Sequence, residues 1–304
     1  MNCCLSGSQG FIGSHLLGHL LGAGHKVVGY DLQSGEDIRN EFQLDKVFNE
    51  NQFDMVIHLA ALAGVPKSIE YPKEYIDTNV TGTHNIVEMC QKYGVKNLIS
   101  FSSSSVLGTQ SGGRVSERAP CNPISLYGIT KLAGEQIVRN SGLNYFIIRP
   151  FSVYGMFGRH DMVIYRWIEQ IKAGKPITFY GNGGSERGYT YVEDLCKAVV
   201  RLTGEMEAIE SPREDMTYDA GRIIHLGGSE VITLNMLYAE FEKYCKKKKI
   251  KLEKNVIPIK DYDIQRSVAD TSWAQTLLGF KSSNNFLKVV REILKKNLGV
   301  QSGG

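Results

Sequence analysis

The chain has 304 residues, 42% of them hydrophobic, which is enough to bury a substantial core without disulfide or metal staples. Its net charge of +3 is small for this length and argues against nucleic-acid binding through bulk charge. No stretch approaches the roughly twenty apolar residues of a membrane span, and Met1 to Gly7 lacks the positive region of a signal peptide. A cytoplasmic location with no membrane partner is the expectation.

In chain order, Asn2 to Ser6 reads as a buried strand, Gly7 to Gly13 as a glycine-rich turn, and Phe11 to Leu21 as a helix. Lys26 to Tyr30 reads as a second strand, and Met55 to Leu59, Asn97 to Phe101 and Tyr145 to Ile148 as three more. Helical stretches are expected at Tyr71 to Tyr93 and Leu126 to Asn140. Strands alternating with helices predict an α/β fold, a Rossmann-type doubly wound parallel sheet. After Pro150 the rhythm changes, with a helix expected near Val192 to Thr203 and a strand at Ile223 to Leu226. Residues 1–150 and 191–228 are therefore expected to form the dinucleotide-binding domain, and 151–190 and 229–304 a smaller substrate-binding lobe. The six cysteines (Cys3, Cys4, Cys90, Cys121, Cys196 and Cys245) lack C-x-x-C spacing and read as reduced packing residues, with no metal site. The run Lys246 to Lys249, followed by Lys251 and Lys254, reads as a solvated helix end, and the final Ser-Gly-Gly as a disordered end.

The turn Gly7-Ser8-Gln9-Gly10-Phe11-Ile12-Gly13 follows a strand and opens a helix, which is the context of a pyrophosphate cradle. Its glycines permit the tight turn, close backbone approach and close helix packing. Asp31, ending the second strand, is placed to bind the adenosine ribose and to repel the extra phosphate of NADP, so NAD is the expected cofactor. Only five residues separate Asp31 from Asp37-Ile38, too few for the usual helix and third strand, so the adenine pocket is expected to be partly improvised.

Tyr127 and Lys131, four residues apart, share one helical face. A lysine and a nicotinamide cation both favour phenolate, which suits a general base. Ser102 to Ser105, at a strand terminus, offers a hydroxyl to share the substrate's reacting group. His58 in Val56-Ile57-His58-Leu59-Ala60-Ala61 reads as a satisfied structural group, with Leu59, Ala60 and Ala61 allowing close cofactor approach. Asn79 reads either as an anchor for backbone or water near the nicotinamide or as a helix-packing residue.

With these residues the chain resembles the extended short-chain dehydrogenase/reductase family, in its NAD-dependent sugar-nucleotide epimerase/dehydratase group. The likeness runs nearly end to end and includes Arg149-Pro150-Phe151-Ser152-Val153-Tyr154-Gly155, Arg187-Gly188-Tyr189-Thr190-Tyr191-Val192-Glu193-Asp194 and Ser267-Val268-Ala269-Asp270. The resemblance implies that Ser103 partners Tyr127, that Arg187 contacts a diphosphate, and that Asp263 binds a ribose, with Arg266 a competing phosphate partner. Leu107 and Ser152 depart from the usual tyrosine and asparagine, and Lys260 stands where arginine is usual.

The 4,6-dehydratases carry an Asp-Glu pair where this chain has Ser104-Ser105, and the decarboxylases a glutamate at Ser105. The resemblance therefore implies 4-epimerisation of a UDP-hexose through a transient 4-keto sugar. Ser103, Ser104, Ser105 and Ser152, with Arg159, resemble the pocket of UDP-glucuronate 4-epimerases, which makes UDP-glucuronate the first candidate. Ser267 occupies a position whose small side chain admits N-acetyl groups, so UDP-N-acetylglucosamine and UDP-glucose come second. The rival readings are a UDP-glucuronate decarboxylase or another NAD-dependent sugar-nucleotide oxidoreductase, and lastly a non-catalytic NAD-binding sensor. The family also implies a homodimer, joined through the helices containing Tyr75 to Tyr93 and Leu126 to Arg139.

Overall fold

The computed structural model describes residues 1–110, 112–208, 219–283 and 285–299. The expected Ser-Gly-Gly end lies outside them.

Six strands form one parallel sheet: β1 (Asn2–Ser6), β2 (Lys26–Tyr30), β3 (Met55–His58), β4 (Asn97–Phe101), β5 (Asn144–Pro150) and β6 (Ile223–Leu226). Their order across the sheet is β6-β5-β4-β3-β1-β2. Each strand alternates between two apolar faces, as burial on both sides of a parallel sheet requires. Cys3, Leu5, Met55, Ile57, Ile99, Phe146, Ile148 and Ile224 face one layer, made by α1 (Phe11–Gly22) and by the helix Val192–Ala208. Cys4, Val56, Leu98, Tyr145, Ile147 and Ile223 face the other. There they meet Leu44 and Phe48 of α2 (Glu41–Glu50), Ile86 and Cys90 of α3 (Gly82–Lys92), and Val138 of α4 (Leu126–Arg139).

The short segment after Asp31 has a visible consequence. β2 is an edge strand, and the chain leaves it by a single tight turn, Leu32–Ser34, before α2 carries it across to β3. α2 was not anticipated from the sequence, because Glu41–Glu50 has few apolar residues and only Leu44 and Phe48 are buried. The predicted Tyr71 to Tyr93 helix is three pieces in sequence, Pro72–Ile76, a wider turn at Asp77–Thr81, and α3.

A separate apolar cluster gathers Trp167, Phe179, Phe241 and Phe286 from α5 (Val163–Lys172), the strand Ile177–Tyr180, α6 (Leu234–Lys248) and α7 (Phe286–Leu298). Sequence periodicity had not outlined α5 or α7. Lys246, Lys247 and Lys248 form the last turn of α6, with Lys249 as its left-handed cap, so this basic run does complement a helix dipole. Among the described residues no disulfide, metal cluster or membrane-length apolar helix is present, and none of the six cysteines is joined to another.

Candidate active site

The glycine turn closes tightly over the ends of β1 and β3. Gly7 has φ +73°, and a Cβ there would lie 2.7 Å from the Ala60 amide nitrogen. A Cβ on Gly13 would lie 1.9 Å from the Gly7 carbonyl oxygen, inside any allowed contact. His58 supports this cradle from below. Its Nδ1 is 2.7 Å from Ser6 Oγ and its Nε2 is 3.0 Å from Thr83 Oγ1, while the Ala60 amide donates to Ser6 Oγ at 3.3 Å. Burial, helped by the charge of Lys131, holds its pKa down to about 3, so it is a neutral structural group.

Asp31 is buried, and both of its carboxylate oxygens accept backbone N–H bonds, from Gln9 at 2.8 Å and from Gln33 at 2.9 Å. The Gln9 amide is therefore turned toward Asp31. Beside them a cavity of about 350 Å³ is lined by Asp31, Leu32, Gln33, Glu36, Asp37, Ile38 and Arg39, with Ala60, Ala61, Glu74 and Thr78. Local bonds fix the short segment: the Tyr30 hydroxyl donates to the Asp37 carbonyl at 3.0 Å, and Asn85 donates to the Ile38 carbonyl at 3.0 Å. The hydrogen bond from Arg39 holds the Asp37 carboxyl below its usual range.

This cavity shares Gly7, Gly10, Leu59 and Ala61 with a second one of about 360 Å³ at the sheet's carboxyl edge. Phe11, Ile12, Gly13, Ser103, Ser104, Ser105, Tyr127, Lys131, Ser152 and Arg159 line it together. Ser103 caps a short turn by accepting from the Ser105 amide at 3.1 Å, and its hydroxyl bonds to the Tyr127 phenol. Burial raises the Tyr127 phenol, opposed first by that bond and then by the Arg159 charge. Burial likewise depresses Lys131, to about 8, with Glu135 acting the other way. Thus Arg159 contributes cationic charge at the phenol, with Asp161 acting against it. Its guanidinium is paired with Asp161, Nε to Oδ1 at 2.9 Å.

The serines differ in role. Ser102 is spent on Glu135, which grips Arg149 by two bonds of 2.8 and 2.7 Å. Leu107 is buried against Val106, Val115, Phe151 and Ala269 and so belongs to the core. Ser152 stands at φ +24°, an unusual conformation for a residue with a side chain, at the junction with a third cavity.

That third cavity, about 220 Å³, is lined by Ser152, Met162, Arg166, Tyr180, Arg187 and Asp263, among others. Arg187 donates to the Glu186 carbonyl at 2.9 Å, and burial lowers its pKa. Asp263 accepts from the Lys260 amide at 3.1 Å. Three candidates stand apart from the cavity walls. Arg266 pairs with Glu186 and donates to the Gly113 carbonyl at 3.2 Å. Asn79 clamps Leu62, accepting from its amide at 2.8 Å and donating to its carbonyl at 3.0 Å, and so shapes the loop after Ala61. Gln9 has the Asp31 bond already described. The sequence reading missed Arg166, stacked 5.2 Å from the Tyr180 ring, and the wall residues Ala63, Gly64 and Val65. No motif marks them, since folding alone brings them together.

Ser103→Ala is expected to lower turnover less than loss of Tyr127, because Ser104, water or the phenol itself remains near the reacting group. Steady-state kinetics of Ser103→Ala and Ser104→Ala check this: equal loss at Ser104 with none at Ser103 would move the role by one residue.

The three connected cavities suit a dinucleotide in the first two and a second elongated ligand from the second to the third. Comparisons with known proteins agree in outline. The signature of the NAD dependent epimerase/dehydratase family matches residues 3–221. The chain is 31% identical to a UDP-glucuronate 4-epimerase of Thermodesulfobacterium geofontis, over 96% of this chain and 97% of that one. It is similar to the crystal structure of UDP-glucuronic acid 4-epimerase from Bacillus cereus in complex with UDP-glucuronic acid and NAD. There the TM-score is 0.83 and the identity 30%, over 97% of this chain and 99% of that one. It is also similar to the Thermus thermophilus UDP-glucose 4-epimerase complex with NAD, with TM-score 0.84 and 26% identity, over 99% and 100%.

Proposed function

Because the chain belongs to the NAD dependent epimerase/dehydratase family and NAD is its cofactor, we propose that it is a UDP-sugar 4-epimerase, with UDP-glucuronate as its first candidate substrate. One observation carries this reading: Ser103, Ser104, Ser105, Ser152 and Arg159 share one cavity with Tyr127 and Lys131, and among the described residues no carboxylate lines it. Hydroxyls and one guanidinium suit a C6 carboxylate, and the missing acids leave no group to expel water from the sugar.

The cradle residues fit the cofactor: Gly7 and Gly13 have no room for a side chain against the Ala60 amide and the Gly7 carbonyl, so the turn packs tightly and opens α1, whose N-terminus favours a pyrophosphate. Bound NAD supplies the acceptor and donor of the C4 hydride. Tyr127 takes the proton of the 4-hydroxyl and later returns one; Ser103 orients the exchange through its bond to the phenol. Lys131 offsets the phenolate charge from the next helical turn and holds the nicotinamide ribose. Arg187 and Asp263 hold the diphosphate and a ribose at the far end. Residues 1–150 and 191–228 form the cofactor domain in this reading, and 151–190 and 229–304 the substrate lobe. It also carries a cytoplasmic location and a homodimer through α3 and α4 with their neighbours, where Ile69, Ile76 and Ile129 are exposed.

NAD binds more tightly than NADP on this account, because the Asp31 and Glu36 carboxylates flank the ribose end of the adenine cavity. Parallel titrations of both cofactors check it, and equal or tighter NADP binding would contradict it. The function itself is tested by incubating the NAD-loaded protein with UDP-glucuronate, UDP-glucose and UDP-N-acetylglucosamine separately. UDP-galacturonate is the expected main product; a UDP-pentose would return the decarboxylase, and turnover of the neutral sugars alone would remove the carboxylate role of the serines.

A further inference from the structure

The third cavity carries more positive charge than the fold around it neutralises. Among the described residues that line it, Arg166 and Arg187 are cations and Asp263 is the one carboxylate. Asp263 acts on the Arg187 charge, and its Oδ2 accepts from the Lys260 amide. Arg166 has no carboxylate partner among the described residues. Its Nη1 donates to the Tyr180 hydroxyl at 3.3 Å, its guanidinium lies over the Tyr180 ring, and its Nε is buried with no partner at all. A guanidinium carries five donors, so the fold satisfies this one poorly, and a buried donor left unpaired calls for a reason other than stability. The cations that the family pattern offers for a phosphate do not fill the gap. Arg266 is paired with Glu186, and neither it nor Lys260 lines the cavity.

A second feature of the same segment points the same way. α5 begins at this cavity: Met162, its N-cap, and Val163, its first residue, line the wall one turn before Arg166, and no side chain caps that end. The uncapped N–H groups and the helix dipole add partial positive charge beside the guanidinium. Met162 and Ser152 also line the catalytic cavity, so the start of α5 stands where a ligand passes from one cavity into the other.

We propose that Arg166, with the start of α5, is a second phosphate-holding group beside Arg187, and that it makes the third cavity select a diphosphate over a monophosphate. A diphosphate presents at least two negative charges at adjacent phosphorus centres. Arg187, with Asp263 acting on it, offsets little of that charge; a second guanidinium brings the cavity into balance. Tyr180 keeps the fork in place, since its hydroxyl accepts from Nη1 and its ring lies against the guanidinium, so little side-chain freedom is lost when an anion arrives. The uridine at the far end rests on the function proposed above; the preference for two phosphates does not.

The test is calorimetric titration of the NAD-loaded protein, whose cradle is already filled, with uridine, UMP, UDP and inorganic pyrophosphate. It compares the unaltered chain with Arg166→Met, which keeps the apolar stem, and Arg166→Lys, which keeps the charge. The unaltered chain binds UDP more tightly than UMP. Arg166→Met lowers UDP affinity about tenfold to a hundredfold, the range of a hydrogen bond to a charged group, and narrows the gap between UDP and UMP while uridine affinity stays close to that of the unaltered chain. Arg166→Lys recovers part of the loss. UDP affinity unmoved in Arg166→Met, uridine affinity falling as far as UDP affinity, or lysine doing no better than methionine overturns the assignment. A chain that binds pyrophosphate but not UDP, and loses pyrophosphate in Arg166→Met, overturns the UDP-sugar reading and supports Arg166. Binding of none of the four overturns the cavity as a phosphate site.

Discussion

Tyr127→Phe lowers turnover by a factor of at least about a hundred and leaves NAD affinity close to that of the unaltered protein. The substitution removes one oxygen, the atom proposed above to take the 4-hydroxyl proton, which also accepts the Ser103 bond. The ring stays, and with it the edge-to-face contact with Tyr75 at 6.3 Å, so the cavity wall keeps its shape. A hundredfold loss corresponds to about 2.7 kcal/mol at the transition state. Turnover numbers and a cofactor titration on the same preparation check both halves. Near-normal turnover would place the base elsewhere.

Glu135→Leu destabilises the fold by about 3–5 kcal/mol, the range for stranding one partner of a buried ion pair. Glu135 and Arg149 are each almost fully buried, and the guanidinium also donates to Cys121 Sγ at 3.2 Å. Removing the carboxylate leaves a buried charge with one weak acceptor, and frees the Ser102 hydroxyl from its partner. Lys131, one turn earlier on α4, also loses the carboxylate that supports its charged form, so the cost extends into the catalytic cavity. Denaturant titration checks it through the midpoint at constant slope. Glu135→Leu with Arg149→Met recovers much of the loss, because two apolar groups strand no charge; a single variant within about 1 kcal/mol of wild type would contradict the account.

How far the sequence carries the structure depends on what each segment announces. The six sheet strands are continuous apolar runs between glycines and polar turns, so both their existence and their parallel pairing were legible. The tight turn from Gly7 to Gly13 was legible too, since its close packing follows from contiguous glycines. The spacing between Asp31 and Asp37 correctly foretold a missing strand, and the sheet ends at β2. α2 was hidden because two buried side chains in ten residues make a faint stripe, and α5 and α7 because nothing in sequence links them to the Trp167 cluster. The third cavity is the clearest case of what local reading misses. Arg166, Tyr180, Arg187 and Asp263 come from four separate segments, and only Arg187 and Asp263 sit in recognisable motifs. Asn79 anchors the Leu62 backbone, which is within the roles its sequence position allowed, whereas Arg266 is engaged with Glu186, a partner its motif did not announce.

The most direct measurement of the central claim uses UDP-glucuronate carrying deuterium at C4, incubated with the NAD-loaded protein in ordinary water. Hydride removed from C4 and returned to the opposite face within one closed site predicts UDP-galacturonate with the deuterium still at C4. Deuterium lost to solvent, or a UDP-pentose as the main product, would contradict 4-epimerisation by Tyr127, Ser103 and Lys131.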